Sequence, residues 1–354
     1  MTKNHNYYLD LAFQIAESNV GQTKINPSVG CVVVKNNTVI SSGVTSINGR
    51  PHSEFNALKK LKNCAGASLY TTLEPCTHFG KTPPCVNIIL KKKIKSVYYA
   101  FEDPDLRTFN KAKKILNLNG VKCKKYHSKK YHKFYKSYFL NKKLSIPFVT
   151  AKIAISKDYF TSSKKNKWIT NNFSRKISHL LRNKHDCVIS TSRSINVDDS
   201  LLNCRIEGLN NSKPDLFILD QNLKLKKKLS LNKLLKKRKT YLITNKDNIK
   251  KTIYYKKKGY KILLTDDLSI KNNFYLLLKK IYSMGYSKIL VETGLTFLNN
   301  LLKKRLINEL YIFKSNNKLG IDGFNNDSVK YLRKISPKIL TINLNGDKLL
   351  KKEF

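Results

Sequence analysis

The sequence predicts an α/β protein of two consecutive layered units, and three observations lead there. Short apolar runs of strand length alternate with segments of helical periodicity along nearly the whole chain, the pattern of sheets covered by helices. The 354 residues exceed one ordinary domain and favour two units of about 150 to 200 residues. The alternation pauses at Ser145-Ile146-Pro147 and restarts with a strand. Pro147 disfavours helix in the residue before it, so the boundary falls there, giving units 1–145 and 146–354.

Apolar residues recur at helical spacing from Tyr7 to Ser18. Val29–Val34 and Thr38–Ser42 then read as a hairpin around Lys35-Asn36-Asn37. A helix over Ser53–Leu61, a strand at Ser68–Thr72, a helix over Pro83–Leu90 and a strand at Ser96–Ala100 follow. A helix over Phe109–Leu118, a strand around Val121 and a helix near Lys129–Asn141 close the first unit. The second opens with a strand at Phe148–Ile155 and a helix over Ser174–Asn183. Strands are expected at Cys187–Ser190, Leu216–Asp220, Thr240–Thr244 and Lys261–Leu264. A helix over Asn273–Met284, a strand at Lys288–Glu292, a helix over Thr296–Lys304 and strands near Glu309–Lys314 and Ile339–Asn343 complete it. The basic stretch Leu223–Lys239 reads as a loop followed by a surface helix, in preference to a membrane-surface helix.

The formal charge of +46 would by itself suggest nucleic acid or an anionic membrane. Two counts redirect that inference. Lysine supplies 60 of the 69 basic residues and asparagine adds another 37, a bias that A/T-rich codons produce whatever the function. The excess is also even: 25 basic against seven acidic residues in 1–150, and 44 against 16 in 151–354. A binding footprint is concentrated, so no specific nucleic-acid or membrane partner is expected. No apolar h-region opens the chain and no apolar run approaches the roughly 20 residues of a membrane span. Seven irregularly spaced cysteines do not form a disulfide framework, and a cytoplasmic location is expected.

The chemistry-bearing residues of the first unit are His52-Ser53-Glu54, Glu74-Pro75-Cys76 and Pro83-Pro84-Cys85. Imidazole and two thiolates make a three-ligand zinc site with a fourth position for water. A carboxylate two residues from the histidine can shuttle protons without ligating the metal. The order H-x-E, P-C and a second Cys is the logic of hydrolytic nucleobase deaminases. Eight residues separate Cys76 from Cys85, where nucleic-acid and nucleoside deaminases show P-C-x-x-C.

The segment from Thr71 to Cys85, with Asn26-Pro27-Ser28-Val29-Gly30, closely resembles the deaminase half of the bifunctional riboflavin-biosynthesis deaminase/reductase family. The resemblance implies a cytidine-deaminase-like three-layer α/β/α domain with zinc on His52, Cys76 and Cys85. It also implies Glu54 as proton-transferring acid/base and Asn26 in the pyrimidine pocket. The other cysteines read as structural, while His78 is open to a substrate contact or a structural role.

The second unit has no G-x-G-x-x-G, so a Rossmann site is unsupported. Val291-Glu292-Thr293-Gly294-Leu295-Thr296 is a strand, a turn and a helix start able to bring N–H groups to a phosphate. Together with Lys152-Ile153-Ala154, Trp168-Ile169-Thr170, Leu180-Leu181-Arg182 and the run Asp198–Arg205, it resembles the reductase half of the same family. That implies a dihydrofolate-reductase-like α/β domain. NADPH contacts are implied at Ala154, Trp168, Ser194, Asp198, Gly294, Leu295 and Thr296. Substrate contacts are implied at Asn166, Arg182, Leu202, Arg205 and Glu292. With nine arginines in the chain, two at expected phosphate positions point to a geometric requirement. The family's Ser-x-Asp-Gly-Arg turn is Ser156-Lys157-Asp158-Tyr159-Phe160 here.

The expected function is deamination of a diaminopyrimidinone bearing a ribosylamino 5-phosphate, then NADPH-dependent reduction of its ribosyl group to ribityl. The partner is this small-molecule pyrimidine ribose-phosphate, and the resemblance suggests a homodimer. Two alternatives stay open: an active deaminase with a degenerate reductase half, and a basic nucleic-acid deaminase or binding protein.

Overall fold

The computed structural model describes residues 4–126, 130–209 and 213–354, which divide into two units, Met1–Ser145 and Ile146–Phe354. In the first, the side chain of Asn4 accepts a hydrogen bond from the Tyr7 N–H and starts α1 (His5–Glu17), as N-caps do. Tyr8, Leu9, Ala12, Phe13 and Ala16 form its buried face. Strands β1 (Gly30–Lys35) and β2 (Thr38–Val44) are joined through Asn36 and Asn37, both left-handed at φ 50° and 61°. Such a two-residue turn matches strand twist, and asparagine tolerates it. Then follow α2 (Ser53–Leu58), β3 (Ser68–Leu73), α3 (Cys85–Lys91), β4 (Ser96–Phe101), α4 (Lys111–Leu118), β5 (Lys122–Lys125) and α5 (Lys136–Leu144).

The sheet order is β2-β1-β3-β4-β5, with β1 antiparallel to both neighbours and β3, β4 and β5 parallel. Strand alternation sorts β1 into two cores. Cys31 and Val33 pack with Leu58, Ile89 and Leu116 of α2, α3 and α4, while Val32 and Val34 pack with Leu9 and Phe13 of α1 and with Tyr138 of α5. This is the three-layer α/β/α arrangement.

The second unit runs β6 (Phe148–Ile155), β7 (Ser162–Ser163), α6 (Asn172–Asn183), β8 (Cys187–Thr191), α7 (Ser192–Asp198), β9 (Asp215–Leu219), β10 (Thr240–Asn245) and α8 (Ile253–Lys258). It continues with β11 (Lys261–Thr265), α9 (Lys271–Ser283), β12 (Lys288–Glu292), α10 (Leu295–Lys303), β13 (Glu309–Lys314), β14 (Gly323–Phe324), α11 (Lys330–Lys334), β15 (Lys338–Leu344) and β16 (Asp347–Glu353). Its nine-stranded sheet has the order β11-β10-β9-β8-β12-β6-β13-β16-β15. Every pair from β11 to β13 is parallel, and β16 and β15 close the sheet antiparallel.

Several elements differ from the periodicity reading. Leu223–Lys239 contains a 3₁₀ turn at Ser230–Leu234 and no surface α-helix, because Leu225, Leu229 and Leu231 bury into the core with Leu216 and Leu242. The sequence also hid β16, whose Lys-rich stretch pairs with all six residues of β13. The last helix of the first unit starts at Lys136, and the Lys129 at which the periodicity placed its start lies outside the described residues.

Two glycines set how closely helices approach the first sheet. A Cβ on Gly30 would lie 1.8 Å from the Ala12 carbonyl oxygen, and one on Gly43 would lie 2.3 Å from that of Ser53. Gly30→Ala is expected to push α1 off the sheet and destabilise the first unit by about 3 kcal/mol. Denaturant unfolding of wild type and variant measures this, and equal midpoints would refute it.

Candidate functional site

In the first unit, three separate elements bring the sulfur and imidazole groups together. His52 is the residue before α2, Cys76 follows β3, and Cys85 opens α3 after Pro84. The Nδ1 of His52 lies 3.5 Å from Sγ of Cys76 and 3.5 Å from Sγ of Cys85. One ligand atom from each of the three residues falls within 4.8 Å of the others. A tetrahedral Zn²⁺ with ordinary Zn–S and Zn–N bonds has ligand–ligand edges of about 3.5 Å. The residues therefore fit zinc in both chemistry and spacing.

The Cys76 thiol is pulled well below its ordinary range by the hydrogen bond from Cys85 and by His52. The Cys85 thiol is pushed up by that same contact, by burial and by Glu54. Glu54 is 3 % exposed, and burial holds its carboxyl above the ordinary carboxylate range. Its Oε2 accepts from Ser53 Oγ at 3.0 Å and lies 3.4 Å from Cys85 Sγ. A buried carboxyl raised in this way can carry a proton between a water and a substrate.

The surrounding loops are tied by polar contacts. Asn26 Nδ2 donates to the Gly49 carbonyl at 2.9 Å, joining it to the segment that leads into His52. His78 Nδ1 lies 3.1 Å from Thr108 Oγ1. Sequence reasoning placed Glu74 beside Cys76 but gave it no role. Its buried carboxylate accepts from the N–H groups of Asp103, Asn110 and Ala112, which fastens the loop before Cys76 to the start of α4. The signal that could have found it is a carboxylate directly preceding P-C in an apolar strand end.

In the second unit, Ala154, Ser194, Glu292 and Gly294 lie at or just beyond the C-terminal ends of β6, β8 and β12. Glu292 ends β12, and its two oxygens take Arg182 Nε at 2.6 Å and Arg182 Nη2 at 2.9 Å. Lys152 Nζ lies 3.6 Å from Glu292 Oε2. Arg182 Nη1 donates to the Asn203 carbonyl at 3.0 Å. Burial opposes charge on Glu292, but Arg182 and Lys152 outweigh it and hold the carboxyl at about 2. His179, beside Asn203, is pushed down to about 4 by burial and by Arg182 and Arg205. The guanidinium fork that the sequence assigns to a phosphate is therefore engaged by Glu292. Arg205 is the exposed guanidinium, with Nη1 donating to Asn203 Oδ1 at 2.8 Å.

Ser194 and Gly294 meet where β8 and β12 end, the Gly294 N–H donating to Ser194 Oγ at 3.2 Å. Leu295 packs its side chain into the core at 1 % exposure, while Thr296 is exposed at the start of α10. Ala154 is half-buried near the end of β6, and Leu202 is buried with φ 51°. Asp198 is exposed at the end of α7, in the electrostatic field of Lys167 and Lys152. Asn166 and Trp168 lie exposed in the loop before α6, Trp168 under the Arg175 guanidinium at 4.9 Å. Tyr159, at the position of the family glycine, keeps a left-handed φ of 70° beneath Lys314 and Arg333.

Comparison with known proteins matches both units. The family model "Cytidine and deoxycytidylate deaminase zinc-binding region" covers residues 2–101, and "RibD C-terminal domain" covers 147–320. The chain is 32% identical to the riboflavin biosynthesis protein RibD of Aquifex aeolicus, over 86% of this chain and 85% of that one. The chain belongs to the RibD family. The RibD of Buchnera aphidicola is 31% identical over 87% and 86% of the two chains. The structure of Acinetobacter baumannii RibD superposes with a TM-score of 0.84 at 26% identity, covering 99% of this chain and 98% of that one. A deaminase/reductase of Thermotoga maritima gives the same TM-score at 25% identity and the same coverage. The RibD fold thus spans both units, with the cysteine–histidine cluster in the part matched as zinc-binding.

The Arg182–Glu292 pair gives this RibD chain a testable electrostatic signature. Glu292 drops from an ordinary 4.5 to about 2 in the folded state. Its contribution is therefore present above pH 4.5 and is lost as pH falls through about 2. Glu292→Gln at pH 7 leaves a buried guanidinium without its counter-charge and is expected to cost about 3 to 5 kcal/mol. Unfolding curves of the two proteins measure it, and matching stabilities would show that the pair contributes nothing net.

Proposed function

We propose that this RibD-family chain performs two consecutive steps of riboflavin biosynthesis, a deamination in the first unit and a reduction in the second. The observation that carries the reading is the convergence of His52, Cys76 and Cys85 beside the buried carboxyl of Glu54. The substrate is a pyrimidine bearing a ribosylamino phosphate, the chemistry named for the Thermotoga maritima relative. Zinc and NADPH are the cofactors.

In the first unit His52, Cys76 and Cys85 would hold zinc, which would supply an activated water near neutral pH. Glu54 would accept one proton from the attacking water as its oxygen bonds to the ring carbon and pass it to the ring nitrogen, then carry the remaining hydroxyl proton to the amino group, so that the carbon–nitrogen bond breaks and ammonia leaves. Ser53 Oγ orients the Glu54 carboxyl for this exchange. Asn26 borders the pyrimidine pocket, anchored on the Gly49 carbonyl.

In the second unit Ala154, Trp168, Ser194, Asp198 and the turn Gly294-Leu295-Thr296 bind NADPH, which supplies hydride to C1 of the ribose. The exposed Arg205 takes the sugar phosphate, while Leu202, Asn166 and Glu292 shape the substrate site and Arg182 orients Glu292. This reading assigns no general acid there, so positioning carries much of the rate enhancement.

The partners in this reading are small molecules, with neither a specific nucleic acid nor a membrane surface among them. The even spread of lysine supports that, and the positive surface serves to attract anionic substrates. A cytoplasmic location is supported by seven free cysteines and by the absence, among the described residues, of a helix long and apolar enough to cross a membrane. Family resemblance supports a homodimer. The comparisons do not favour a lone deaminase or a nucleic-acid binder.

Glu54→Ala in the zinc-loaded enzyme is expected to slow ammonia release by about a hundredfold or more, with zinc content unchanged. NADPH oxidation with the deaminated intermediate should stay at the wild-type rate. Intact deamination in that variant would remove Glu54 from the mechanism. A wild-type protein that fails to oxidise NADPH would refute the reductase assignment.

A further inference from the structure

Arg238 has no part in the site described above, yet three facts single it out. It lies just before β10 and is 6 % exposed. Among the described residues it forms no ion pair, and its Nε has no hydrogen-bond partner. The Asp215 carboxylate acts on it only through space, because its oxygens accept from the Lys239 N–H and the Tyr286 hydroxyl. Burial therefore depresses the guanidinium to about 10. A buried cation without a counter-charge is costly, so its retention calls for a compensating role.

That role is visible in its hydrogen bonds. Arg238 Nη1 donates to the Leu202 carbonyl at 2.9 Å and the Pro214 carbonyl at 3.1 Å, and Nη2 donates to the Leu201 carbonyl at 2.5 Å. Leu201 and Leu202 lie just before Asn203 and Pro214 just before β9, so one guanidinium ties the loop leading to Arg205 to the start of that strand. The segment leading into it is neither helix nor strand and contains two left-handed residues, Asp199 at φ 45° and Leu202 at φ 51°. A bulky side chain in that region is strained and persists only when its surroundings impose it. Asn203, the next residue, passes the constraint on. Its carbonyl takes Arg182 Nη1, and its side chain holds Arg205 Nη1.

Residue choice agrees. Lysine supplies 60 of 69 basic positions, yet Arg182, Arg205 and Arg238 all converge on this one loop. An ammonium donates from a single nitrogen, whereas the planar fork spreads its donors over separate nitrogens, here Nη1 and Nη2.

We propose that Arg238 is a positioning residue of the reductase half, setting the loop from Leu201 to Arg205 so that Arg205 meets the sugar phosphate. The inference rests on the assignment of Leu202 and Arg205 to the substrate site.

The test uses the full zinc-loaded chain with Arg238→Lys, Arg238→Gln and Arg238→Ala. NADPH oxidation is followed with the deaminated phosphoribosylaminopyrimidine as substrate. Ammonia release by the first unit serves as an internal control, and NADPH affinity is read from quenching of Trp168, the single tryptophan. All three variants should raise KM for the pyrimidine by about tenfold or more, with kcat within about threefold of wild type. Ammonia release and NADPH affinity should not change. Arg238 borders an open cavity of about 340 Å³, so added guanidinium ion should reach the vacated position in Arg238→Ala and lower KM again. Wild-type KM in any variant overturns the proposal. So does a parallel fall in KM-independent readouts, kcat, NADPH affinity and ammonia release, which would mark a general structural role. Failure of the wild-type protein to oxidise NADPH would instead overturn the reductase reading itself.

Discussion

Charge held out of water, just beyond strands that end in a buried sheet, is the constraint on which both units depend. In the first, two sulfurs and a carboxyl crowd an imidazole. In the second, a buried glutamate faces a guanidinium and an ammonium. Neither cluster is stable as isolated charges, since desolvation of an unpaired ion exceeds what packing returns. The first has the chemistry and spacing to hold a divalent cation, and the second is balanced within the protein. Everything around them, from the three N–H groups on Glu74 to the carbonyls on Arg238, keeps those groups at fixed separations.

The layers supply that fixity. Gly30 and Gly43 let α1 and α2 approach the first sheet at distances no side chain would permit, and α2 carries Glu54 and follows His52. In the second unit the parallel run from β11 to β13 brings the ends of β6, β8 and β12 side by side. Open parallel sheets bind ligands outside the carboxyl ends of their strands. Residues more than a hundred positions apart, such as Arg182 and Glu292, become hydrogen-bonded neighbours there.

Much of the site was legible because its chemistry is local. H-x-E and the two prolines that each precede a cysteine report metal ligands within 34 residues, and the alternation of strands and helices reports layers. Legibility failed where partners are remote or composition obscures the pattern. Leu223–Lys239 reads as a basic amphipathic stretch because lysine fills its polar positions, while its leucines decide that it folds as core-covering loop. In β16 the alternation is blurred by the same lysines, and its pairing with β13 rests on backbone groups that carry no residue signature.

By itself the sequence determined the fold class, the family and the histidine and two cysteines that the structure brings together, because these follow from residue types at short spacing. Only the tertiary structure decided which arginine is exposed. Arg182 and Arg205 are alike in sequence, but Arg182 is turned onto Glu292 and Arg205 is left exposed. Arg238, one more basic residue in a chain of +46, became a clasp for their loop. The reason is physical: a guanidinium's role is set by the acceptors within 3 Å of it, and those are chosen by packing.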